Sequence, residues 1–408
     1  MYLKANEEAI ENIEQIIKKE KIECDFKKEN AYTFTGKETK IDVLKNEQMV
    51  INKISEGKEF CEYCKNIELP IPIAGAIRLK NQAQVHPLKY AYGLAGAIEK
   101  NGGNIYENSQ VLEINKIDGE YQISVNKKKI RAKYIVMATR YPFIKIPGYY
   151  FLKMYQSTSF AMVFDCKRKL FDGMYISYDF PTTSFRTITE ENRELLLVVG
   201  YDYKTGTDDM KNGYMRLQAV VKKMYPEAEE ICRWSAEDCI TLDKIPYIGE
   251  FSKLMPNVYV ATGFNKWGIT ASNIAAGIIK DMILEKENKY ADIFNSRRVE
   301  PIKNIKEVGN MIKEANKSIL LSRFKTPETE FKDIQIGEGK IIEIDNKKVG
   351  VYKDNNGEVY EVKPVCTHLG CELSFNNIEK VWECPCHGSK FSYKGEIIEG
   401  PGNSDLSS

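Results

Sequence analysis

No stretch of the 408-residue sequence approaches the roughly 20 consecutive apolar residues that a membrane-spanning helix needs. Residues Met1 to Glu8 carry neither the basic start nor the apolar run of a secretory signal, so a soluble, cytoplasmic protein is expected. Charge of one sign is lacking as well: 59 Lys and Arg face 58 Asp and Glu, interspersed along the chain. No surface that attracts nucleic acid is therefore expected. Histidine is scarce, with three in all, His86, His368 and His387. The pattern G-x-G-x-x-G is absent, and the nearest stretch, Gly337-Glu338-Gly339, lacks its third glycine. The loop that cradles a dinucleotide pyrophosphate on a helix N-terminus thus has no visible counterpart.

Cysteine, by contrast, is plentiful, with ten residues. Four of them fall in two loops near the C-terminus, Cys366-Thr-His368-Leu-Gly-Cys371 and Cys384-Pro-Cys386-His387-Gly-Ser389. Each loop offers one thiolate and one imidazole to a common centre. A Cys2His2 zinc site is the nearest alternative, but zinc sites usually pair Cys with Cys and His with His at short spacing. The other six, Cys24, Cys61, Cys64, Cys166, Cys232 and Cys239, are scattered. Cys61-Glu-Tyr-Cys64 is formally a CxxC, yet it has no following helix start to activate a thiolate and is read as incidental.

The two loops resemble a Rieske [2Fe-2S] site, in which two Cys hold one iron and two His the other, raising the reduction potential above that of an all-Cys cluster. The resemblance implies Cys366, His368, Cys384 and His387 as the metal ligands. It also places Cys371 and Cys386 where respiratory-type Rieske proteins carry a disulfide; the alternative is two reduced thiols, because disulfides seldom persist in a reducing cytoplasm. Ser389, by the same resemblance, gives its hydroxyl to a bridging sulfide. Phe391 stands where many high-potential members have Tyr, so a potential below that of the respiratory proteins is expected. A Rieske-type oxygenase would need a mononuclear iron held by two further His and a carboxylate, and His86 alone cannot supply them.

At this length two or three cores are expected. Apolar residues at helical period mark helices at residues 3 to 19 (Leu3, Ile10, Ile13, Ile16, Ile17) and at about 88 to 100 (Leu88, Tyr92, Leu94, Ala95, Ile98). Strand-like runs follow at Asn104 to Ile114, Tyr121 to Val125 and Lys133 to Thr139, the last apolar enough to be buried on both faces of a parallel sheet. From about 150 to 240, aromatic and β-branched runs suggest a mostly antiparallel sheet interrupted by a helix near Met215 to Met224. A buried strand, Asn257 to Thr262, a glycine turn and a helix from Ile269 to about Leu284 come next. Strand, turn and small-residue helix suit a cofactor at the carboxyl edge of a sheet. Residues 300 to 330 read as a linker, and 331 to 408 as a small domain of short strands and Asn/Gly turns.

Three segments together bring a second resemblance: Asn81-Gln-Ala-Gln-Val-His86-Pro87, Ile135-Val-Met-Ala138-Thr139, and Asp243-Lys-Ile-Pro246-Tyr-Ile248-Gly249 with Val260-Ala-Thr262-Gly263-Phe-Asn-Lys-Trp267-Gly268-Ile269-Thr270. They resemble the D-amino-acid-oxidase type of FAD-dependent oxidoreductase, and with the terminal loops the order resembles bacterial members fused to a Rieske domain. The resemblance implies that the helix beginning at Gly268, Ile269 and Thr270, with Gly263 and Trp267 before it, meets the flavin ring where negative charge collects on reduction. It places Val111 by the adenine and Ala138 and Thr139 near the nucleotide. It names no catalytic residue. His86 before Pro87 is read as a structural histidine. The carboxylate-clamping Arg of amino-acid oxidases has no match, since Arg233 is out of place and Arg186 is read as a core-edge or surface cation.

The fold class read from this is α/β plus all-β. An incomplete FAD-binding domain (1–149 and 241–299) has an antiparallel substrate domain (150–240) interleaved, then the linker (300–330) and the Rieske domain (331–408). The implied cofactors are a [2Fe-2S] cluster and FAD, the latter held weakly because the glycine-rich unit is missing, either by truncation or because another chain supplies it. The expected function couples two-electron flavin oxidation of a small organic substrate to one-electron exchange with a protein or quinone. The alternative is a Rieske electron carrier whose flavin half is a scaffold.

Overall fold

The structure is a computed structural model, and it describes residues 1–55, 60–125, 128–144, 146–206, 212–298, 333–402 and 404–407. The linker expected at 300–330 lies outside them. In chain order the first elements are α1 (Tyr2–Glu20), β1 (Lys27–Thr35), α2 (Ile41–Ile54), β2 (Cys61–Cys64), β3 (Gly75–Gln84) and α3 (Pro87–Lys100). Four strands follow: β4 (Val111–Ile117), β5 (Glu120–Val125), β6 (Lys128–Ala132) and β7 (Ile135–Met137). Next come β8 (Met154–Asp165), β9 (Met174–Ser177), β10 (Thr183–Glu190), β11 (Arg193–Lys204), α4 (Gly213–Met224) and β12 (Glu229–Thr241). A hairpin, β13 (Tyr247–Ser252) and β14 (Met255–Thr262), leads to α5 (Gly268–Ile283) and α6 (Ala291–Phe294). The C-terminal region adds β15 (Gly339–Ile344), β16 (Lys347–Lys353), β17 (Val359–Val362), β18 (Ser374–Asn376), β19 (Val381–Glu383), β20 (Lys390–Ser392) and β21 (Ile397–Glu399).

Two compact units divide the chain, one of Met1–Glu107, Ser159–Asp202 and Lys211–Ala236, the other of Asn108–Thr158, Tyr203–Met210 and Glu237–Ser408. In the first unit α1 buries Ala5, Ala9 and Ile13, spaced by four so that they form one stripe, and Lys21 in the left-handed conformation ends the helix. His86 is the cap of α3: its Nδ1 accepts the Lys89 N–H at 3.3 Å, while Pro87 takes the first helical position, where no N–H is needed. The capping role accounts for this histidine. Leu88, Tyr92 and Ile98, part of the apolar period that marks α3 in the sequence, are largely exposed, and Tyr90 is the residue it buries.

An eight-stranded sheet runs in the order β12-β8-β11-β10-β9-β1-β3-β2. Its pairings are antiparallel at β10/β11, β9/β10, β1/β3 and β2/β3, and parallel where Ala31 to Phe34 of β1 face Met174 to Ser177 of β9. The sequence reading assigns residues 1–149, and with them β1 to β3, to the flavin-binding part. Strands β1 to β3 join the aromatic β-rich strands because β1 finds its second edge on β9.

In the second unit a three-stranded sheet runs β13-β14-β7. The hairpin β13/β14 is antiparallel, and β14 pairs in parallel with β7 through Val258↔Ile135 and Val260↔Met137. Buried Val258, Val260, Met137, Tyr150, Met154, Tyr247 and Phe251 form the core beneath it. Met137 is buried, but Val136 is 47 % exposed, so β7 is not covered on both faces as its composition suggested. Among the described residues it pairs with β14 on one side alone, which makes it an edge. The Asp243 turn ahead of β13 is held by a two-pronged ion pair, Arg298 Nε to Asp243 Oδ2 at 2.6 Å and Nη2 to Oδ1 at 2.9 Å, and Arg298 Nη1 also donates to the Pro246 carbonyl. The run expected as a strand from Asn104 begins only at Val111, where β4 opens the meander β4-β5-β6. The C-terminal region forms two small sheets, β15-β16-β17 and β18-β19-β20-β21. No helix among the described residues is long and apolar enough to cross a membrane.

Candidate functional site

The two Cys/His loops leave β17 and β19 and each closes on itself by backbone hydrogen bonds. Cys366 N–H donates to the Cys371 carbonyl at 2.8 Å and Gly370 N–H to the Cys366 carbonyl at 3.0 Å. In the second loop Cys384 N–H donates to the Ser389 carbonyl at 2.9 Å and Gly388 N–H to the Cys384 carbonyl at 2.8 Å. Gly370 and Gly388 both have positive φ (76° and 74°), which only glycine adopts at little cost. The turns bring all four expected ligands together and bury them: Cys366 and Cys384 are 2 % and 0 % exposed, His368 and His387 5 % and 6 %. The imidazole centroids lie 5.0 Å apart with ring planes at 88°. Cys371 and Cys386 form a disulfide that ties one loop to the other.

The chemistry of this set fits an iron-sulfur cluster. A hydrogen bond from Cys384 holds the Cys366 thiol down at about 6, helped by the Ser389 hydroxyl and by the backbone N–H groups of His368 and Leu369. The N–H groups of His387 and Cys386 act likewise on Cys384, although its hydrogen bond to Cys366 and its burial push that thiol up. Donors aimed at both sulfurs are what a pair of metal-bound thiolates requires. Burial pushes His387 down to about 4, so its imidazole is neutral. The Nε2 of His387 lies 3.1 Å from the Phe151 carbonyl, and a carbonyl only accepts, so the ring proton sits on Nε2. That leaves the buried Nδ1 of His387 with a lone pair and no hydrogen-bond partner. A buried acceptor so placed suits a metal ligand.

Ser389 is fully buried, donates to Cys366 and accepts the Gly402 N–H at 2.9 Å. Ser389→Ala removes a donor that favours the more negative, reduced site. The expected result is a reduction potential lower by about 59 mV, the one-electron equivalent of about 1.4 kcal/mol for one hydrogen bond to a charged group. An EPR-monitored redox titration reads it directly, and an unchanged potential would assign the hydroxyl to loop structure alone.

Neighbours of the loops come from the same unit. The Tyr141 ring lies 6.3 Å from both imidazoles, and the Phe151 ring 6.4 Å from His368 and 6.1 Å from His387. Gln156 of β8 lies against Gly388, where an added Cβ would come within 2.8 Å. Gly206, just past the end of β11, donates its N–H to Glu383 at 3.3 Å and accepts from Ser374 Oγ at 3.1 Å. Beside the second loop Lys390 bridges two fully buried carboxylates, Glu237 at 3.1 Å and Glu383 at 3.7 Å. Reasoning from sequence missed Phe151, Gln156, Gly206 and Glu237. A signal for the pair beside the loop was present, since Glu383 and Lys390 flank the Cys384 to Ser389 stretch with opposite charge.

The residues expected around the flavin divide. The carboxyl ends of the parallel strands β7 and β14 lie side by side, so Ala138 and Thr139 after β7 neighbour Gly263 after β14, and the Thr262 hydroxyl donates to the Arg140 carbonyl across that edge. Gly263 has φ +70°, and a Cβ there would strike Thr241. The turn then exposes Trp267 (60 %) and Ile269, while Gly268 has open space around it. No side chain caps α5, and this turn leads into the positive dipole end of a 16-residue helix. Thr270 follows, its hydroxyl within 3.5 Å of the Trp267 carbonyl. An open backbone edge at a positive helix end fits the ring of a flavin. Val111 opens β4 opposite Val125 in the β4-β5-β6 sheet. Arg186 sits on β10 across from Leu197 and Met174, where burial lowers its pKa, and Arg233 is exposed beside Glu230.

Comparison with known proteins agrees with both halves. The family model for FAD dependent oxidoreductases (DAO) matches residues 1–282, and that for the Rieske [2Fe-2S] domain matches residues 325–408. YhfW of Bacillus subtilis (strain 168), named a Rieske 2Fe-2S iron-sulfur protein, is 33 % identical over 404 residues, covering 98 % of this chain and 78 % of that protein. Gamma-glutamylputrescine oxidoreductase of Escherichia coli (strain K12) is 24 % identical over 296 residues, 67 % of this chain and 65 % of that protein. The crystal structure of glycine oxidase from Geobacillus kaustophilus superposes with a TM-score of 0.62 at 19 % identity, over 73 % of this chain and 82 % of that one. The chain belongs to the DAO family of FAD-dependent oxidoreductases and carries a Rieske [2Fe-2S] domain at its C-terminal end.

Proposed function

We propose that this oxidoreductase oxidises a small organic substrate and exchanges the electrons one at a time through its Rieske domain with a protein or quinone partner. Bound FAD supplies two-electron chemistry and the bound cluster supplies single-electron transfer. Cys366 and Cys384 would hold one iron and His368 and His387 the other, with the Cys371–Cys386 disulfide clamping the loops. The N-terminal end of α5, from Gly268 to Thr270, would meet the flavin ring with the positive end of its helix dipole.

One observation carries the coupling: His387 donates its Nε2 proton to the Phe151 carbonyl at 3.1 Å. Phe151 lies just ahead of β8, whose first residue, Met154, has its sulfur 3.8 Å from the Thr262 hydroxyl oxygen at the end of β14. A short chain of contacts therefore runs from a cluster imidazole to the sheet edge where α5 begins. Both imidazoles are buried and have this unit's own Tyr141 and Phe151 rings as neighbours.

The test is anaerobic flash reduction of the flavin by a photoreductant, with absorbance and freeze-quench EPR followed together. The flavin absorbance is expected to recover as the Rieske signal rises, one electron at a time. Flavin that stays reduced while the cluster signal never follows would remove the proposal.

A further inference from the structure

Cations gather without acids at the turn of the β13/β14 hairpin. Ser252 of β13 pairs with Met255 of β14 there, at the far end of β14 from Thr262 and so roughly 24 Å in strand length from the edge where α5 begins. An open cleft of about 470 Å³ lies beside this turn, within the size range of small-ligand sites. Among the described residues its lining includes three cations, Lys153, Lys253 and Arg297, and no carboxylate. Arg297 is matched by Glu250 at 2.9 Å, and Arg298, next along the chain, by Asp243 at 2.6 Å. Neither Lys153 nor Lys253 has a carboxylate partner among the described residues. The half-buried Lys153 ammonium has instead the Ser296 carbonyl at 3.5 Å and the Tyr150 and Tyr247 ring centres at 4.8 and 5.4 Å. Burial, and then the nearby Arg298, push its pKa below the ordinary lysine value, as befits a cation short of a counter-charge. Three lining cations less the one carboxylate on Arg297 leave two positive charges uncompensated.

Neutral groups of the lining add donors. Asn295 accepts the Arg297 N–H on Oδ1 at 2.9 Å, which leaves its amide nitrogen to donate. Ser252 Oγ accepts the Leu254 N–H at 3.2 Å, and its hydroxyl proton remains. The floor is Phe251, which is 2 % exposed and stacked on Tyr150 with ring centres 5.6 Å apart. Gly148 lies against that ring: a Cβ there would come within 2.5 Å of it, so the loop closes on the floor only because this position is glycine. Tyr149, 45 % exposed, stands beside it. Donors gathered over an aromatic floor select an anion that carries an apolar or ring-shaped part.

We propose that this cleft binds a small organic phosphomonoester, its phosphate oxygens held by Lys153, Lys253 and Arg297 and its organic part laid on Phe251 and Tyr149. A phosphomonoester carries about −1.5 to −2 charges at neutral pH, which matches the two positive charges left over, and its three terminal oxygens accept from more donors than a carboxylate can. A single carboxylate would leave one cation unmatched. The site shares no residue with the Cys/His loops or with the start of α5, so it depends on neither cofactor assignment.

Phenyl phosphate tests this by isothermal titration calorimetry on the full chain with FAD present, so that no empty nucleotide site competes. Binding is expected with a Kd below about 1 mM. Benzoate, with the same ring and a single charge, should bind at least about tenfold more weakly. Lys153→Met should weaken phenyl phosphate on the order of tenfold, the loss of one charge-assisted hydrogen bond. Lys253→Gln, a change at an exposed position that leaves the fold alone, should weaken it about fivefold. No binding up to about 10 mM, benzoate binding as tightly as phenyl phosphate, or unchanged affinity in both variants overturns the proposal. A second readout needs no variant. In wild-type protein treated with acetic anhydride, phenyl phosphate at about ten times its Kd should slow acetylation of Lys153, read by mass spectrometry, about tenfold, while the exposed Lys347 keeps its rate. Equal Lys153 rates with and without phenyl phosphate overturn the proposal as well.

Discussion

Gly206→Val should uncouple flavin reduction from cluster reduction, lowering the transfer rate on the order of 100-fold while the iron content stays that of the wild type. Gly206 has φ +78°, a backbone that valine adopts only at a cost of about 1–3 kcal/mol. Its new Cβ would also lie 2.5 Å from Pro385 N and 2.8 Å from the Cys384 carbonyl carbon, and these are backbone atoms that cannot swing aside. The second loop must retreat, breaking the Gly206 N–H bond to Glu383 and the Ser374 bond to Gly206, and drawing His387 from the Phe151 carbonyl. A combined penalty of about 2.8 kcal/mol on the docked arrangement corresponds to about 100-fold in its population. The Cys366 and Cys384 sulfurs keep their own backbone donors, so the metal site itself is spared. Flash reduction with freeze-quench EPR measures the rate. Transfer at the wild-type rate would show that electrons do not pass by way of the docked loop.

The contrast between what the sequence discloses and what it hides follows from how each feature is built. The ligand loops are legible because Cys366, His368, Cys384 and His387 are close in sequence, include two of the three histidines, and are bent by glycines that the turns require. The β14, turn and α5 unit is legible for the same local reason, its glycines and small residues lying within one short stretch. Strand partners are another matter. The pairing of Ala31 with Met174 is hidden because nothing local specifies a neighbour so distant along the chain. Val136 shows the same limit, since an apolar residue on an edge strand has the composition of a buried one. The Phe151 carbonyl and the Gly206 N–H act through backbone atoms, so no residue type marks them. Glu237 looks like the solvent side of an alternating strand, in a run where Arg233 and Trp234 are exposed, and only the fold reveals that it is buried against Lys390.

Replacing both Cys371 and Cys386 by serine should cost the cluster its kinetic stability and the C-terminal domain about 3 kcal/mol. The bridge closes a loop of sequence separation 15, for which loss of chain entropy in the unfolded state predicts about that amount. Its position makes the effect local. Cys371 ends the first loop, where its carbonyl accepts the Cys366 N–H, and Cys386 lies between Cys384 and His387 in the second. The first loop keeps further anchors without the bridge, including the Leu373 N–H bond to the Pro364 carbonyl and the bridge pairing of Val365 with Glu372. The second loop loses its covalent hold at the residue next to a metal ligand, so the His387 side of the site should open first. Iron and acid-labile sulfide, followed with the EPR signal during incubation with a chelator, should be lost at least about tenfold faster than from the wild type, the ratio for only about half of that energy. The flavin half, which has no part in the disulfide, should keep its absorbance throughout. Equal rates of cluster loss would mean that buried Cys366, Cys384 and their backbone donors hold the two loops together without the bridge.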